Sequence, residues 1–150
     1  MLLDEFFMRA ALEEALLAFA KDEVPIGAVL VYNGEIIARA HNQVESLQDA
    51  TAHAEILCLR QASKKLNNWR LLESTLYTTL EPCSMCAGAL ILSRVKNLVW
   101  GAPDIRQGAG GSWIDLLNIP HPIHNLLIKQ GVLAGESARL MKEFFQNKRK

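Results

Sequence analysis

Cysteine is scarce in this sequence. It supplies only Cys58, Cys83 and Cys86, an odd number that argues against a disulfide-built scaffold and points to reduced thiols in a cytoplasmic setting. Long apolar runs are missing as well: none approaches the roughly 18 residues of a membrane span, so no membrane partner is expected. The amino terminus does not read as a secretory signal, because Asp4 and Glu5 precede Arg9, and Glu13 and Glu14 interrupt the apolar residues. Excess charge is absent too. Sixteen basic residues balance sixteen acidic ones, so composition alone announces no nucleic-acid binder, and a local basic patch would have to do so. There is no repeat, linker or low-complexity segment. What the chain does have is apolar material, half of its residues. That suits one compact domain over residues 1–150 that needs no cross-links.

Periodicity predicts alternating helices and strands. Met8, Leu12, Ala15 and Phe19 recur at helical spacing behind Asp4, a cap candidate, so the first twenty residues read as an amphipathic helix. Runs 27–32 and 35–40 are strand-like, and Asn33-Gly34 between them supplies the positive torsions of a two-residue hairpin turn. A helix is expected from near Thr51, with Ala54, Leu57, Cys58 and Ala62 on one face and Asn67-Asn68 at its end. Run 75–80 reads as a strand leading to Pro82, which favours the first turn of a following helix striped by Met85, Ala89 and Leu92. Short strands at 98–100 and 126–128 flank a glycine-rich run, Gly108 to Gly111. A last helix carries Leu140, Met141, Phe144 and Phe145. This alternation indicates an α/β layer fold.

The chemistry is concentrated in His53-Ala54-Glu55 and, downstream, Pro82-Cys83-Ser84-Met85-Cys86. Structural zinc sites take four protein ligands, whereas catalytic ones take three and leave a corner for water. His53, Cys83 and Cys86 make three, and Glu55 remains free to move protons. Both motifs fall where a helix begins, and helical side chains lean toward the amino end, so ligands in two first turns can converge between helix tips. Cys83 and Cys86, three apart, share a face. The exposed N–H groups and dipole there favour thiolate. Two thiolates already balance a zinc charge, so the bound water needs a general base, and Glu55 is the candidate. Water adding to an amidine-like carbon and expelling ammonia would use every part. The HExxH pattern of metalloproteases is absent.

These residues resemble the bacterial tRNA-specific adenosine deaminases, a branch of the zinc nucleobase deaminases whose signature joins H-x-E to P-C-x-x-C. The similarity runs through 23–29, 51–56, Trp69-Arg70-Leu71, 79–89, Gly101 to Asp104, the Gly108 to Ser112 loop and Phe144-Phe145. The two metal motifs alone indicate the broad superfamily; the later loop and the Phe pair narrow it to the tRNA-editing branch. The resemblance implies a three-layer, cytidine-deaminase-like α/β fold with a five-stranded mixed sheet flanked by helices. It implies a homodimer, one zinc per chain, and conversion of adenosine to inosine at the wobble position of a tRNA anticodon stem-loop. Carried over, Asn42 would hydrogen-bond the flipped adenine, Glu55 would shuttle protons, and the backbone around Ala54 and Pro82 would border the reacting carbon. Three departures stand out. Ala50 replaces the usual proline, Gln146 and Lys148 stand where arginines are common, and Ile123 stands where an asparagine precedes His124.

Blander readings compete residue by residue. A Cys-x-x-Cys pair alone can be redox-active or simply buried. Cys58 reads as core, while His41, His121 and His124 read as structural or solvent-facing. Asn42 on its own reads equally as the residue that closes a strand. The glycine run has no strand-turn-helix context, so no nucleotide cofactor is expected. Lys148-Arg149-Lys150 reads as a solvated tail. One of Phe144 and Phe145 packs inward, which leaves Phe145 to support or stack on the substrate loop. Asp104 is either a plain loop carboxylate or the acceptor of a ribose hydroxyl. Two rival functions remain: a deaminase of free guanine, cytosine or a related nucleotide, and a zinc-stabilised RNA-binding module without catalysis.

Overall fold

The structure is a computed structural model describing residues 2–148; the end of the basic tail, Arg149-Lys150, lies outside them. Helix α1 (Leu2–Ala20) buries Met8, Ala11, Ala15 and Ala18. Strands β1 (Gly27–Tyr32) and β2 (Glu35–His41) follow. They are joined by Asn33 and Gly34 with φ of 51° and 76°, the torsions that let a two-residue turn match strand twist. A short helix α2 (Val44–Leu47), unforeseen from periodicity, leads to α3 (Ala54–Leu66), β3 (Ser74–Leu80), α4 (Ser84–Leu92), β4 (Asn97–Ala102), β5 (Leu127–Gln130) and α5 (Ala134–Lys148).

The five strands form one mixed sheet in the order β2-β1-β3-β4-β5. β1 runs antiparallel to both β2 and β3, whereas β3, β4 and β5 are mutually parallel. Alternation along the central strands builds two cores. Leu30, Leu76 and Leu98 face one side, where Cys58, Ala62 and Leu90 of α3 and α4 cover them. Val29, Val31, Tyr77 and Val99 face the other, where Phe7, Met8 and Ala11 of α1 cover them. Gly27 permits the closest approach, because a Cβ there would lie 2.0 Å from the Ala11 carbonyl oxygen.

Two helix starts and one helix face differ from the sequence expectation, each for a local reason. Helix α3 begins at Ala54 rather than near Thr51. Asp49 Oδ1 accepts both the Thr51 N–H (2.8 Å) and its hydroxyl (2.7 Å), a local turn that competes with helix and pins the stretch where Ala50 stands. Helix α4 begins at Ser84 with Cys83 at its N-cap, so Pro82 precedes the helix instead of opening its first turn. The side of α4 that packs inward carries Cys86, Ala87, Leu90 and Ile91; of the expected stripe, Ala89 is half-buried at the edge of the core, Met85 is half-buried, and Leu92 is 56% exposed. An all-apolar helix gives periodicity no contrast to read.

Candidate active site

Two helix starts meet near the carboxyl end of β3, beside the start of β1. His53 and Cys83 hold the N-cap positions of α3 and α4, both with extended backbone (φ −75°, ψ 150° and φ −75°, ψ 175°). N-cap side chains commonly bond back to the helix; neither of these does, and they turn toward each other instead. His53 Nδ1 lies 3.5 Å from the Cys83 sulfur and 3.5 Å from the Cys86 sulfur. All three ligand atoms fall within 4.8 Å of one another, close enough to hold a metal ion.

Electrostatics favour ligation. The Cys83 thiol is held down to about 4 by the hydrogen bond from Cys86, with burial opposing and His53 assisting. Cys86, the donor of that bond, is pushed up, and burial raises it further. His53 is raised chiefly through its bond to Cys83, with burial opposing. Glu55 is 4% exposed. Burial pushes its carboxyl up to about 7, against the pull of its own backbone N–H and of His53. The side chain lines the same cavity as His53 and Cys83. The spacing of two between His53 and Glu55 is accommodated because the helix has barely begun.

A cavity of about 260 Å³ opens onto this corner. Asn42, His53, Glu55, Cys83, Asp104 and Phe145 all line it. Asn42 Oδ1 accepts the Ala54 N–H (3.0 Å, buried); its oxygen is thereby committed to the start of α3, and its amide group is left as the polar end available to the cavity. Ala54 and Pro82, both buried, are not among its lining residues; the Pro82 carbonyl accepts the Ala109 N–H at 2.8 Å. Asp104 Oδ1 accepts the Arg106 N–H (3.1 Å) and the Gln107 N–H (3.3 Å). Phe144 is buried edge-on against Phe19 and Phe145, whereas Phe145 is 41% exposed at the cavity rim.

Several contributors escaped the sequence reading. Arg106 is the one Lys or Arg on the cavity wall, and Gln107 and Met141 join it. Glu23 and Glu81, both buried, accept backbone N–H groups from α2 and from the loop after β4. The available signal was their place inside the matched stretches, an acidic residue in an otherwise apolar context. The other histidines lie away from the metal cluster: His41 pairs with Glu14 (3.0 Å), His124 reaches the Val95 carbonyl (2.7 Å), and His121 accepts the Ile123 N–H (3.0 Å). Cys58 is fully buried in the core. The largest hollow, about 980 Å³, lies elsewhere, between α3 and α4, lined by Ile56, Leu57, Trp69 and Leu92. It is lined by no acid or ligand cluster, so the smaller cavity is the candidate site.

Comparison with known proteins agrees with this geometry. A family model for MafB19-like deaminases matches residues 3–149. The chain is 50% identical over 147 residues to the tRNA-specific adenosine deaminase of Bacillus subtilis, covering 98% of this chain and 91% of that protein. It is 52% identical over 159 residues to the chloroplastic tRNA(adenine(34)) deaminase of Arabidopsis thaliana, covering 95% of this chain and 12% of that far longer protein. Among solved structures, one from studies of A-to-I editing by tRNA:A34 deaminases superposes with a TM-score of 0.86 at 44% identity, covering 90% of this chain and 98% of that one.

Proposed function

The chain belongs to the MafB19-like deaminase family, and from that membership we propose that it converts adenosine to inosine at the wobble position of a tRNA anticodon. The observation that carries this reading is a metal-ligating trio beside a buried carboxyl, in a chain half identical to a tRNA-specific adenosine deaminase along nearly its whole length. The metal is zinc, one ion per chain. In tetrahedral zinc, bonds of about 2.3 Å to sulfur and 2.0–2.1 Å to nitrogen place S and N about 3.5 Å apart, and His53 sits 3.5 Å from each thiol. Such an ion would supply an activated water as nucleophile.

The chain's own residues do the rest. Glu55 takes one proton from the attacking water and delivers it to a ring nitrogen, then takes the second from the added hydroxyl and delivers it to the departing amine as the C–N bond breaks, so that water plus adenosine yields inosine plus ammonia. Asn42 offers its amide to the base while its oxygen fixes Ala54. The backbone of Ala54 and Pro82 borders the reacting carbon from behind, Asp104 accepts from the ribose hydroxyl, and Phe145 stacks on the substrate loop. The cavity of about 260 Å³ is smaller than the roughly 300–1,000 Å³ of drug-sized pockets, a fit to one unstacked base rather than to a stretch of chain. An anticodon loop, already single-stranded, lowers the cost of unstacking.

The protein acts as a homodimer through the α3–α4 face. There Leu92 of α4 is exposed beside exposed Trp69 and half-buried Ala89, an apolar patch that calls for cover. One chain holds both the ligand trio and Glu55, so the partner completes no catalytic group. A cytoplasmic location accords with three free thiols. No helix among the described residues is long and apolar enough to cross a membrane. The deciding experiment incubates the purified protein with an anticodon hairpin and, separately, with free adenine, guanine and cytosine. Inosine in the hairpin with no free-base turnover is expected; ammonia from a free base and none from the hairpin would reverse the assignment.

A further inference from the structure

The loop from Asp104 to Trp113 serves two sides of the ligand cluster. Asp104, Arg106 and Gln107 line the cavity, and Arg106, Gln107 and Trp113 border a second hollow against His53 and Cys83. A run holding Gly108, Gly110 and Gly111 has little intrinsic reason to keep one shape, because glycine loses the most freedom on ordering. One side chain holds it. Glu81, 2% exposed, follows β3 directly and precedes Pro82. Its Oε1 accepts the Asp104 N–H (3.0 Å) and the Ser112 hydroxyl, and its Oε2 accepts the N–H groups of Gly110 (2.8 Å) and Ser112 (3.2 Å).

The glycines are part of this grip. A Cβ at Gly108 would lie 2.3 Å from Glu81 Cδ, and one at Gly110 would lie 3.3 Å from Oε2. The carboxylate occupies the space that side chains would need. Only Pro82 separates Glu81 from Cys83, so the loop's anchor and a metal ligand share one short segment, and the Ala109 N–H donates to the Pro82 carbonyl between them at 2.8 Å. Burying a carboxylate is costly unless donors surround it; four donors from one loop do so here. A glutamine would keep the shape yet present an NH₂ to groups that are themselves donors.

We propose that Glu81 is a positioning residue that holds 104–113 as a preformed RNA-reading surface, setting recognition of the substrate rather than the chemical step. The inference rests on the tRNA reading above. A loop ordered in advance spares the substrate the entropy of ordering it. Loosening the loop therefore weakens binding, while Glu55, His53 and Cys86 keep their places on α3 and at α4.

The test compares wild type, Glu81→Gln, Ser112→Ala and the double variant, full-length and metal-loaded, by steady-state deamination of an anticodon hairpin with metal content measured in parallel. Glu81→Gln is expected to raise KM about tenfold with kcat within about twofold, the scale of one lost charge-assisted hydrogen bond, and with metal content unchanged. Ser112→Ala shifts KM less in the same direction, and the double variant is no worse than Glu81→Gln because Ser112 acts through the same carboxylate. An unmoved KM, or a fall in kcat at constant KM, overturns the inference. If Glu81→Gln fails to fold or loses metal, Ser112→Ala decides: a raised KM at constant kcat supports the role, and a wild-type KM removes it. A wild type inert on the hairpin sinks the tRNA reading and this inference together; an active wild type with unmoved variants sinks this inference alone.

Discussion

The two sides of the cavity are held by different means. On the ligand side, His53 and Cys83 sit at helix N-caps, and Glu55 and Cys86 follow within a turn, so backbone geometry itself delivers the reacting groups. On the recognition side, irregular segments depend on distant buried carboxylates. Glu81 grips the loop after β4. Glu23, 1% exposed, accepts the N–H groups of Glu45 (3.0 Å) and Ser46 (2.6 Å) and the Ser46 hydroxyl, which holds α2 against the opposite rim. Burial works against the Glu23 charge, but these bonds outweigh it and keep the carboxyl below its usual range. The contrast separates two kinds of design. The ligand cluster is placed by secondary structure, and the opposite rim is placed by side chains that reach across the fold.

Substitution can break that contrast or sharpen it. Glu55→Ala has the largest expected effect: turnover of the hairpin falls by about 10²–10⁴-fold, the range of a lost general base, while elemental analysis finds the metal retained. Metal lost together with activity would erase the distinction between shuttle and ligand. Phe145→Ala acts on the other side. KM for the hairpin is expected to rise about five- to tenfold, as when one stacking platform is removed, with kcat unchanged. A kcat effect of similar size would put Phe145 with the reacting centre instead.

The smallest effect concerns the support beneath Asn42. Glu14 meets His41 at 3.0 Å and Arg39 at 2.8 Å. Burial opposes its ionisation, yet these bonds win and hold the carboxyl below its ordinary value of 4.5. A depressed folded-state value means that the stabilisation is present above the ordinary value and lost as pH falls through the folded one. Urea midpoints should therefore show Glu14→Gln less stable than wild type at neutral pH, with the gap closing below pH 4.5. A gap constant with pH would show that the ion pair contributes nothing.

The same division explains what was legible beforehand. His53, Glu55, Cys83 and Cys86 announce themselves because ligand chemistry needs particular residue types at short spacing. The Asn33-Gly34 turn, the Asn67 end of α3 in left-handed conformation and the central strands are equally local. Helix α2 was not legible, since four residues carry no period. The register of α4 was misjudged because every face of it is apolar. Glu81 gives no local sign of its role: its partners lie 23 to 31 residues downstream, and nothing at position 81 names them. Arg106 was missed for the same reason, as only folding brings it to the cavity wall.

Residue chemistry and local spacing, taken alone, determined that this chain would gather a histidine, two thiols and a carboxyl at the starts of helices, on an alternating α/β scaffold. Tertiary structure decided which way Glu55 bends, which side of α4 meets the core, which phenylalanine faces the cavity, and what holds the glycine loop. The reason is range. Bonding preferences and helix ends act over a few residues and are written next to one another, whereas burial and hydrogen-bond partnership are settled only when segments far apart in the chain come into contact.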